Sequence, residues 1–261
     1  MRPGNVCVMA KTVSPLFTYA LRLGDDSLIL GQRLSEWCGH APALEVDLSL
    51  ANVALDQVGQ AAHFLALAGE IEGKGRDADA IAFKRDVMDF TNCLLVEQPN
   101  GDFAQTIARQ FLFSHYQHLL FAAVARAKDE RFAAIAAKAV KETAYHATLA
   151  SDWVVRLGDG TEESKARMIA GLDWMWRFVD ELFVADQVDV AALRAGVGVD
   201  KAALRAAWDA RIDATLADAA LARPAPRRAV IGGRNGRHSE HLGHLLSEMQ
   251  FLQRAYPGAT W

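Results

Sequence analysis

The sequence predicts an all-α protein, an up-and-down helical bundle with extra helices at its C-terminal end. Apolar residues recur at spacings of three and four along most of the 261 residues, whereas the period-two alternation typical of strands is nearly absent. Breaks rich in glycine and proline divide the chain into long helical stretches with short connections between them. Long helices joined by short connections pack as antiparallel hairpins.

The first two helices form the first predicted hairpin. A helix is expected over residues 14–38, where serine followed by proline supplies an N-cap and a first helical position. Gly24, which two aspartates follow, is expected to kink or interrupt this helix. The second helix is predicted over residues 47–68, and Gly69 is expected to end it in the usual C-terminal position.

A longer crossover leads to the second hairpin. It contains a polar linker over residues 70–77 and a short helical stretch over residues 80–95. The third and fourth helices, expected over residues 102–128 and 129–157, have almost no connection between them and must be antiparallel. Two hairpins joined by one long crossover are the plan of the ferritin-like bundle. The whole chain, residues 1–261, is predicted to form a single domain.

The C-terminal third adds three more predicted helices. The fifth extends to about residue 183, with Trp174 and Phe178 expected to face the core and Trp176 to point elsewhere. The others are expected over residues 200–221 and 239–255.

Residues 222–237, between the last two helices, contain five arginines and no acid. The arginines are Arg223, Arg227, Arg228, Arg234 and Arg237. They suit the binding of phosphate or carboxylate groups. The favoured interpretation is nevertheless a solvated, mobile loop.

Composition excludes several classes of protein. The chain is 51% hydrophobic and 23% charged, which is typical of globular proteins. A net charge of −4 offers no general attraction to nucleic acid or to a membrane surface. Three scattered cysteines indicate neither a disulfide framework nor a thiolate metal site. Without a membrane-length apolar stretch, or a secretory signal in residues 1–11, the protein is expected to be cytoplasmic.

Ferritin-like bundles often hold a di-iron centre, which requires two Glu-x-x-His pairs on facing helices. No acidic residue of this chain has a histidine three positions further on. Where the pairs are expected, Asp56 is followed by Gly59 and Glu142 by Tyr145. The favoured interpretation is a metal-free core whose polar groups bond to one another.

An alternative interpretation is an independently active, carboxylate-bridged metal oxidase with a non-standard ligand set. Folding the third helix back on the fourth is expected to bring His115 level with Glu142. The ligands would then be Asp56, His115, Glu142 and His146.

Other constellations are weaker. His238, His241 and His244 follow one another at steps of three, which drift around a helix, so a solvated or interface face is favoured over a zinc site. No nucleophile elbow, phosphate-binding glycine-rich loop or dinucleotide fingerprint is present.

Six sequence blocks, spread over nearly the whole chain, resemble one known family. They are LGDD at 23–26, LGQRLSEW at 30–37, LDQVGQA at 55–61, LLVEQPNGDFA at 94–104, RLGDGTEES at 156–164 and GxLLxEMQxLQR at 243–254. On these blocks the chain resembles the structural, non-catalytic subunit of bacterial ring-1,2-phenylacetyl-coenzyme A (CoA) epoxidase. Several blocks are long enough to be specific.

The resemblance implies a bundle that has lost its iron ligands, with Asp56 and Glu142 as acidic relics. It implies that no residue of this chain is catalytic and that the chain binds no cofactor or metal. The partner would be a catalytic di-iron subunit, with which the chain would epoxidise the aromatic ring of phenylacetyl-CoA using oxygen. Electrons would come from a separate NADPH-dependent reductase that carries FAD and an iron–sulfur centre.

The resemblance also implies further epoxidase subunits in the complex. Because permanent interfaces are large and apolar, the chain is expected to self-associate when its partner is missing. A remaining hypothesis is that the arginines of residues 222–237 hold the 3′-phosphate or pyrophosphate of CoA.

Overall fold

The computed structural model describes residues 14–259, within which there are eleven α-helices, three short 3₁₀ helices and no strand. The α-helices are α1 (Pro15–Glu36), α2 (Leu44–Glu72), α3 (Ala78–Phe83), α4 (Leu94–Glu97), α5 (Phe103–Val124), α6 (Glu130–Gly158), α7 (Glu162–Trp176), α8 (Gln187–Arg194), α9 (Lys201–Asp218), α10 (Glu240–Met249) and α11 (Phe251–Ala255). The 3₁₀ helices are Val87–Asp89, Asp180–Phe183 and Gly233–Asn235. The all-α prediction is confirmed. The predictions about residues 1–11 and about Cys7 concern residues outside the described range.

Four long helices form the predicted pair of hairpins. α1 packs antiparallel along α2, α5 packs antiparallel along α6, and the crossover between the hairpins occupies residues 73–102. Gly31 of α1 lies against Ala54 and Gln57 of α2, about two turns further along α2 than a direct fold-back from Glu36 to Leu44 would place it. α7 and α9 cover α5, while α8 and α10 contact α1. This order and packing are those of a ferritin-like bundle.

α1 is the central helix of the bundle. Sixteen of its 22 residues are buried, because α2 covers one side and α4, α8 and α10 contact the others. Pro15 occupies the first turn, as predicted, where its missing N–H costs no helical hydrogen bond.

The prediction that Gly24 interrupts the first helix is wrong, since α1 is continuous to Glu36. A Cβ at Gly24 would lie 2.7 Å from Leu65 Cδ2, so the glycine permits close packing of α1 on α2. The aspartates that follow it, Asp25 and Asp26, are buried and paired with arginines rather than turned toward solvent.

Gly69 does not end α2, contrary to the prediction. The helix continues to Glu72, and Gly73 ends it in the left-handed conformation with φ of 67°. Gly69 is instead a packing position, because a Cβ there would overlap the carbonyl oxygen of Arg76. A glycine required for close approach and a glycine required for a helix end look alike in a sequence.

Several shorter elements differ from the predictions. The stretch at residues 80–95 is divided into α3, a 3₁₀ turn and α4, and the fifth helix ends at Trp176 before a separate 3₁₀ turn. α8 was not predicted, because its eight residues are too few to show a clear period. Asp186 begins it, with a side chain that accepts hydrogen bonds from the N–H groups of Val188 and Asp189.

The orientation predicted for the tryptophans of α7 is reversed. Trp176 is buried against Trp208, whereas Trp174 is 38% exposed and lies under the guanidinium of Arg177. Because α7 ends at Trp176, Trp174 and Phe178 do not share one continuous helical face, and Phe178 reaches the core from the turn that follows.

Gly59 and Gly69 offer a matched test within one helix. Gly59→Ala should raise the free energy of unfolding by about 0.5–1 kcal/mol, because alanine is the better helix former and its methyl group meets no atom within 4 Å. Gly69→Ala should lower it by about 1–3 kcal/mol, because the methyl group overlaps the Arg76 carbonyl. Denaturant midpoints measure both changes, and equal stabilisation of the two variants would contradict the close approach at Gly69.

Candidate functional site

Three buried glutamines meet at the centre of the four long helices. Gln57 and Gln60 come from α2 and Gln117 from α5, and Ser27 of α1 completes a group that we call the amide lattice. Gln57 Nε2 donates to Gln117 Oε1 at 2.7 Å, and Gln117 Nε2 donates back to Gln57 Oε1 at 3.0 Å. Gln117 Nε2 also lies 3.1 Å from Ser27 Oγ and 3.2 Å from Gln60 Oε1. The amides therefore satisfy one another inside the bundle.

Two residues of α6 connect the amide lattice to the surface. Gln60 Nε2 donates to Glu142 Oε2 at 2.9 Å. The His146 ring lies 3.4 Å from Gln57 Nε2 through Nδ1 and 2.9 Å from Asp56 Oδ2 through Nε2. Burial lowers the pKa of His146, although the hydrogen bond to Asp56 opposes this effect. A neutral ring that donates from Nε2 and accepts at Nδ1 satisfies both contacts.

The chemistry of this donor set does not fit a di-iron centre. Such a centre takes four carboxylates and two imidazoles, whereas three amides and a hydroxyl fill the middle of this bundle. Within residues 14–259, no three histidine, cysteine, aspartate or glutamate side chains converge as metal ligands would. A neutral amide both donates and accepts, so the amide lattice joins α1, α2 and α5, and reaches α6 through Glu142 and His146, without a cation to offset buried negative charge.

The structure brings together three of the four residues in the alternative ligand set. Asp56, Glu142 and His146 lie at the rim of the amide lattice. His115 does not join them, because its Nε2 lies 2.9 Å from Ser151 Oγ, nearer the C-terminal end of α6. The set of four ligands is therefore not assembled.

The predicted register between α5 and α6 is wrong. His118, rather than His115, lies near this level of α6, with Nδ1 3.4 Å from Thr143 Oγ1. If the chain turned straight back between Val124 and Glu130, residue 136 of α6 would lie beside His118, where Thr143 lies instead. α6 therefore starts about two turns beyond the end of α5, an offset that the residues of the connection do not reveal.

The other two predicted positions lie at or near the surface. Gly59 lines a small cleft of about 100 Å³ between α2 and α6, together with Asp56 and Glu142. Tyr145 is 49% exposed. Neither residue contacts the amide lattice through a hydrogen bond.

The glutamines themselves were not predicted from the sequence. Gln57 and Gln60 are one turn apart on the buried face of α2, and Gln117 lies in the most aromatic helix of the chain. A polar residue among apolar neighbours on a buried face was the available signal, since such a residue must find a partner. Which partner it finds depends on the other helices.

The prediction of a solvated arginine loop fits residues 227–231, which are exposed, but is wrong for Arg234. We call residues 222–239 the strap. Arg234 is buried against Asp26 of α1, with Nη2 2.7 Å from Oδ2. The Glu181 carboxylate accepts from the backbone N–H groups of Gly232 and Gly233, at 2.8 Å each. Buried acids on α1 and on the 3₁₀ turn after α7 thus anchor a segment that has no acid of its own.

His238 is part of the same anchoring and does not lie on a solvated face, contrary to the prediction. Its side chain is 1% exposed, with Nδ1 2.7 Å from Glu97 and Nε2 2.9 Å from the Phe90 carbonyl oxygen. Burial alone would lower the pKa of His238, but the hydrogen bond to Glu97 raises it. His244 is exposed, as expected.

Gln117→Leu should lower the free energy of unfolding by about 2–4 kcal/mol. The variant removes both hydrogen bonds between Gln57 and Gln117 and leaves the buried Gln57 Oε1 without a partner, and an unpaired buried group carries a desolvation penalty of about 1–3 kcal/mol. Urea unfolding measures the change. The control Gln187→Leu, at an exposed amide, should stay within about 0.5 kcal/mol of the wild type. A neutral Gln117→Leu would contradict the role of the amide lattice.

The free energy of unfolding should also fall as the pH decreases from about 6.5 toward 4. Burial, with nearby Arg211 and His118, lowers the pKa of His115 to about 4, so the unfolded chain binds a proton in this range that the folded chain does not. His115→Gln should therefore make the decline shallower than it is in the wild type. Unfolding at a series of pH values measures the slopes, and identical slopes in wild type and His115→Gln would refute the assignment.

Comparisons with known proteins identify the family of the chain. A family model described as "Phenylacetic acid catabolic protein" matches residues 6–261. The chain is 49% identical, over 249 residues, to the C subunit of the 1,2-phenylacetyl-CoA epoxidase of Escherichia coli (strain K12), with 95% of this chain and 100% of that protein covered. No helix in the described part of the chain is long and apolar enough to cross a membrane. The chain belongs to the phenylacetic acid catabolic protein family.

Proposed function

We propose that this chain is the non-catalytic structural subunit of a multicomponent oxygenase that epoxidises the aromatic ring of phenylacetyl-CoA. It would bind and stabilise a di-iron catalytic subunit during aerobic phenylacetate degradation in the cytoplasm. The observation that carries the proposal is the amide lattice, which occupies the middle of the bundle with neutral side chains. The relative whose name states the reaction, a phenylacetyl-CoA epoxidase subunit, covers nearly the whole chain.

The amide lattice supports a non-catalytic role for a physical reason. Oxygen activation by a di-iron centre depends on anionic oxygen ligands and imidazoles that face one another inside the bundle. Here the facing groups are amides that already use one another as partners, so a metal would have to break hydrogen bonds to obtain weak ligands. The iron is therefore assigned to the partner subunit, and NADPH, FAD and the iron–sulfur centre to a reductase. Other epoxidase subunits complete the complex.

The exposed side of α2 supports the proposal as a surface on which the partner would bind. Its solvent side carries four apolar residues at steps of four, seven and three, which keep them on one face of a helix. This α2 stripe consists of Leu44, Leu48, Leu55 and Val58, which are 71%, 55%, 69% and 36% exposed. Aligned, exposed apolar residues of this kind mark interaction surfaces.

The charges of α2 indicate what the partner presents. The helix contains five acidic residues and no lysine or arginine. A partner helix with an apolar seam flanked by basic side chains would complement it. Without that partner the α2 stripe stays exposed, so the isolated chain is expected to self-associate.

The α2 stripe gives the decisive test. A Leu48→Glu, Leu55→Glu double variant should raise the Kd for the purified di-iron subunit by about 100-fold or more, because each leucine contributes about 1.5–3 kcal/mol when buried and each 1.4 kcal/mol is tenfold in affinity. Biolayer interferometry measures the Kd. Leu193→Glu on α8, where the leucine is 46% exposed, is the matched control and should bind as the wild type does.

Two results would contradict the proposal. One is an unchanged Kd for the double variant with both proteins folded. The other comes from iron analysis after anaerobic Fe(II) loading, desalting and separation of the subunits. The iron should accompany the partner, and about two iron ions retained by this chain would identify it as a metal oxidase instead.

A further inference from the structure

An arginine-lined cleft opens between the strap and the end of α7. It has a volume of about 650 Å³ and is lined by Arg177, Arg227, Arg228 and residues 229–231 of the strap. We propose that this cleft binds the phosphorylated nucleotide end of a CoA thioester. The choice of CoA rests on the proposed function, whereas the choice of a phosphate group rests on the charges and geometry of the cleft.

Hydrogen bonds hold the backbone at the C-terminal end of the cleft residues. The N–H of Val230 donates to the carbonyl oxygen of Arg177 at 2.9 Å, which joins the strap to the turn after α7. Directly after the cleft residues, the backbone N–H groups of Gly232 and Gly233 donate hydrogen bonds to the Glu181 carboxylate. One end of the cleft is therefore fixed to the turn after α7 and to Glu181, next to the exposed Arg227 and Arg228.

The arginines of the strap divide into those with acidic partners and those without. Arg223 pairs with Asp209 and Asp213, and Arg234 pairs with Asp26. These two arginines are occupied by structural roles and do not line the cleft.

The cleft retains an excess of positive charge. Arg227 pairs with Asp173, but Arg177 and Arg228 form no ion pair with any acid among residues 14–259. Three guanidinium groups thus share one carboxylate. In addition, Arg177 Nε is buried without a hydrogen-bond partner among the described residues. Unpaired guanidinium groups around one cleft favour a doubly charged anion such as a phosphate, which they can bind in a bidentate manner.

An exposed indole lies next to this charge. The Arg177 guanidinium carbon is 4.4 Å from the ring centroid of Trp174, a cation–π contact that holds the guanidinium in position. Trp174 is 38% exposed, which offers a nearby surface on which a nucleobase can stack. CoA offers both phosphate groups for the arginines and a nucleobase for the indole, because its adenosine carries a 3′-phosphate and a 5′-diphosphate.

Titration calorimetry on the full chain, alone and in complex with the di-iron subunit, tests the proposal with CoA, dephospho-CoA and inorganic phosphate as probes. CoA should bind at least tenfold more tightly than inorganic phosphate. Arg228→Gln, at an exposed position, should weaken CoA binding about tenfold, the value of a charge-assisted hydrogen bond. Arg177→Lys, which keeps the charge but not the planar fork, should also weaken it. Arg194→Gln, an exposed arginine outside the cleft, is the control.

Each contrary result would refute a different part of the proposal. CoA binding that is undetectable at millimolar concentration, or unchanged in folded Arg228→Gln, would overturn the site. Equal affinities for CoA and inorganic phosphate would overturn CoA as the ligand. In every case Arg228→Gln should bind the di-iron subunit with wild-type Kd, so failure of the nucleotide site is separate from failure of the proposed function, which the α2 stripe variants test.

Discussion

The burial of α1 on all sides is the constraint on which the rest of the structure depends. A helix in that position must pair every charge that it carries, because an unpaired buried charge is strongly destabilising. α1 contains two buried arginines and two buried aspartates. Arg33 pairs with Glu36 of α1 itself, and elements distant in sequence supply the other partners. The pairs are Asp25 with Arg85, Asp26 with Arg234, Arg22 with Asp186 and Asp189, and Arg33 with the carbonyl oxygens of Glu97 and His241.

These pairs explain why the crossover and the C-terminal third lie against the bundle. The strap has no regular element apart from one 3₁₀ turn, yet Asp26 and Glu181 determine its course. Because Arg234 forms an ion pair with Asp26 of α1, the arginines earlier in the strap lie over the end of α7. The cleft around Arg177 and Arg228 is therefore a consequence of the same ion pairs that hold α1.

Between the two hairpins the polar groups are satisfied in a different way. Gln57, Gln60 and Gln117 join α1, α2, α5 and α6 without buried charge at their centre. Carboxylates at these positions would repel one another unless a cation lay between them. A bundle held by amides can be stable without metal, and the exposed α2 stripe is available to a partner.

The sequence by itself determined the four long helices, the two hairpins and the absence of Glu-x-x-His pairs, because periodicity, caps and motif spacing are local properties of the chain. Tertiary structure alone decided that Gly24 and Gly69 are packing positions, that His115 lies away from Glu142, and that Arg234 is buried. The physical reason is the same in each case. A buried group is satisfied by whatever residue lies opposite it, and these partners, such as Gln57 and Gln117 or Asp26 and Arg234, are 60 and 208 residues apart.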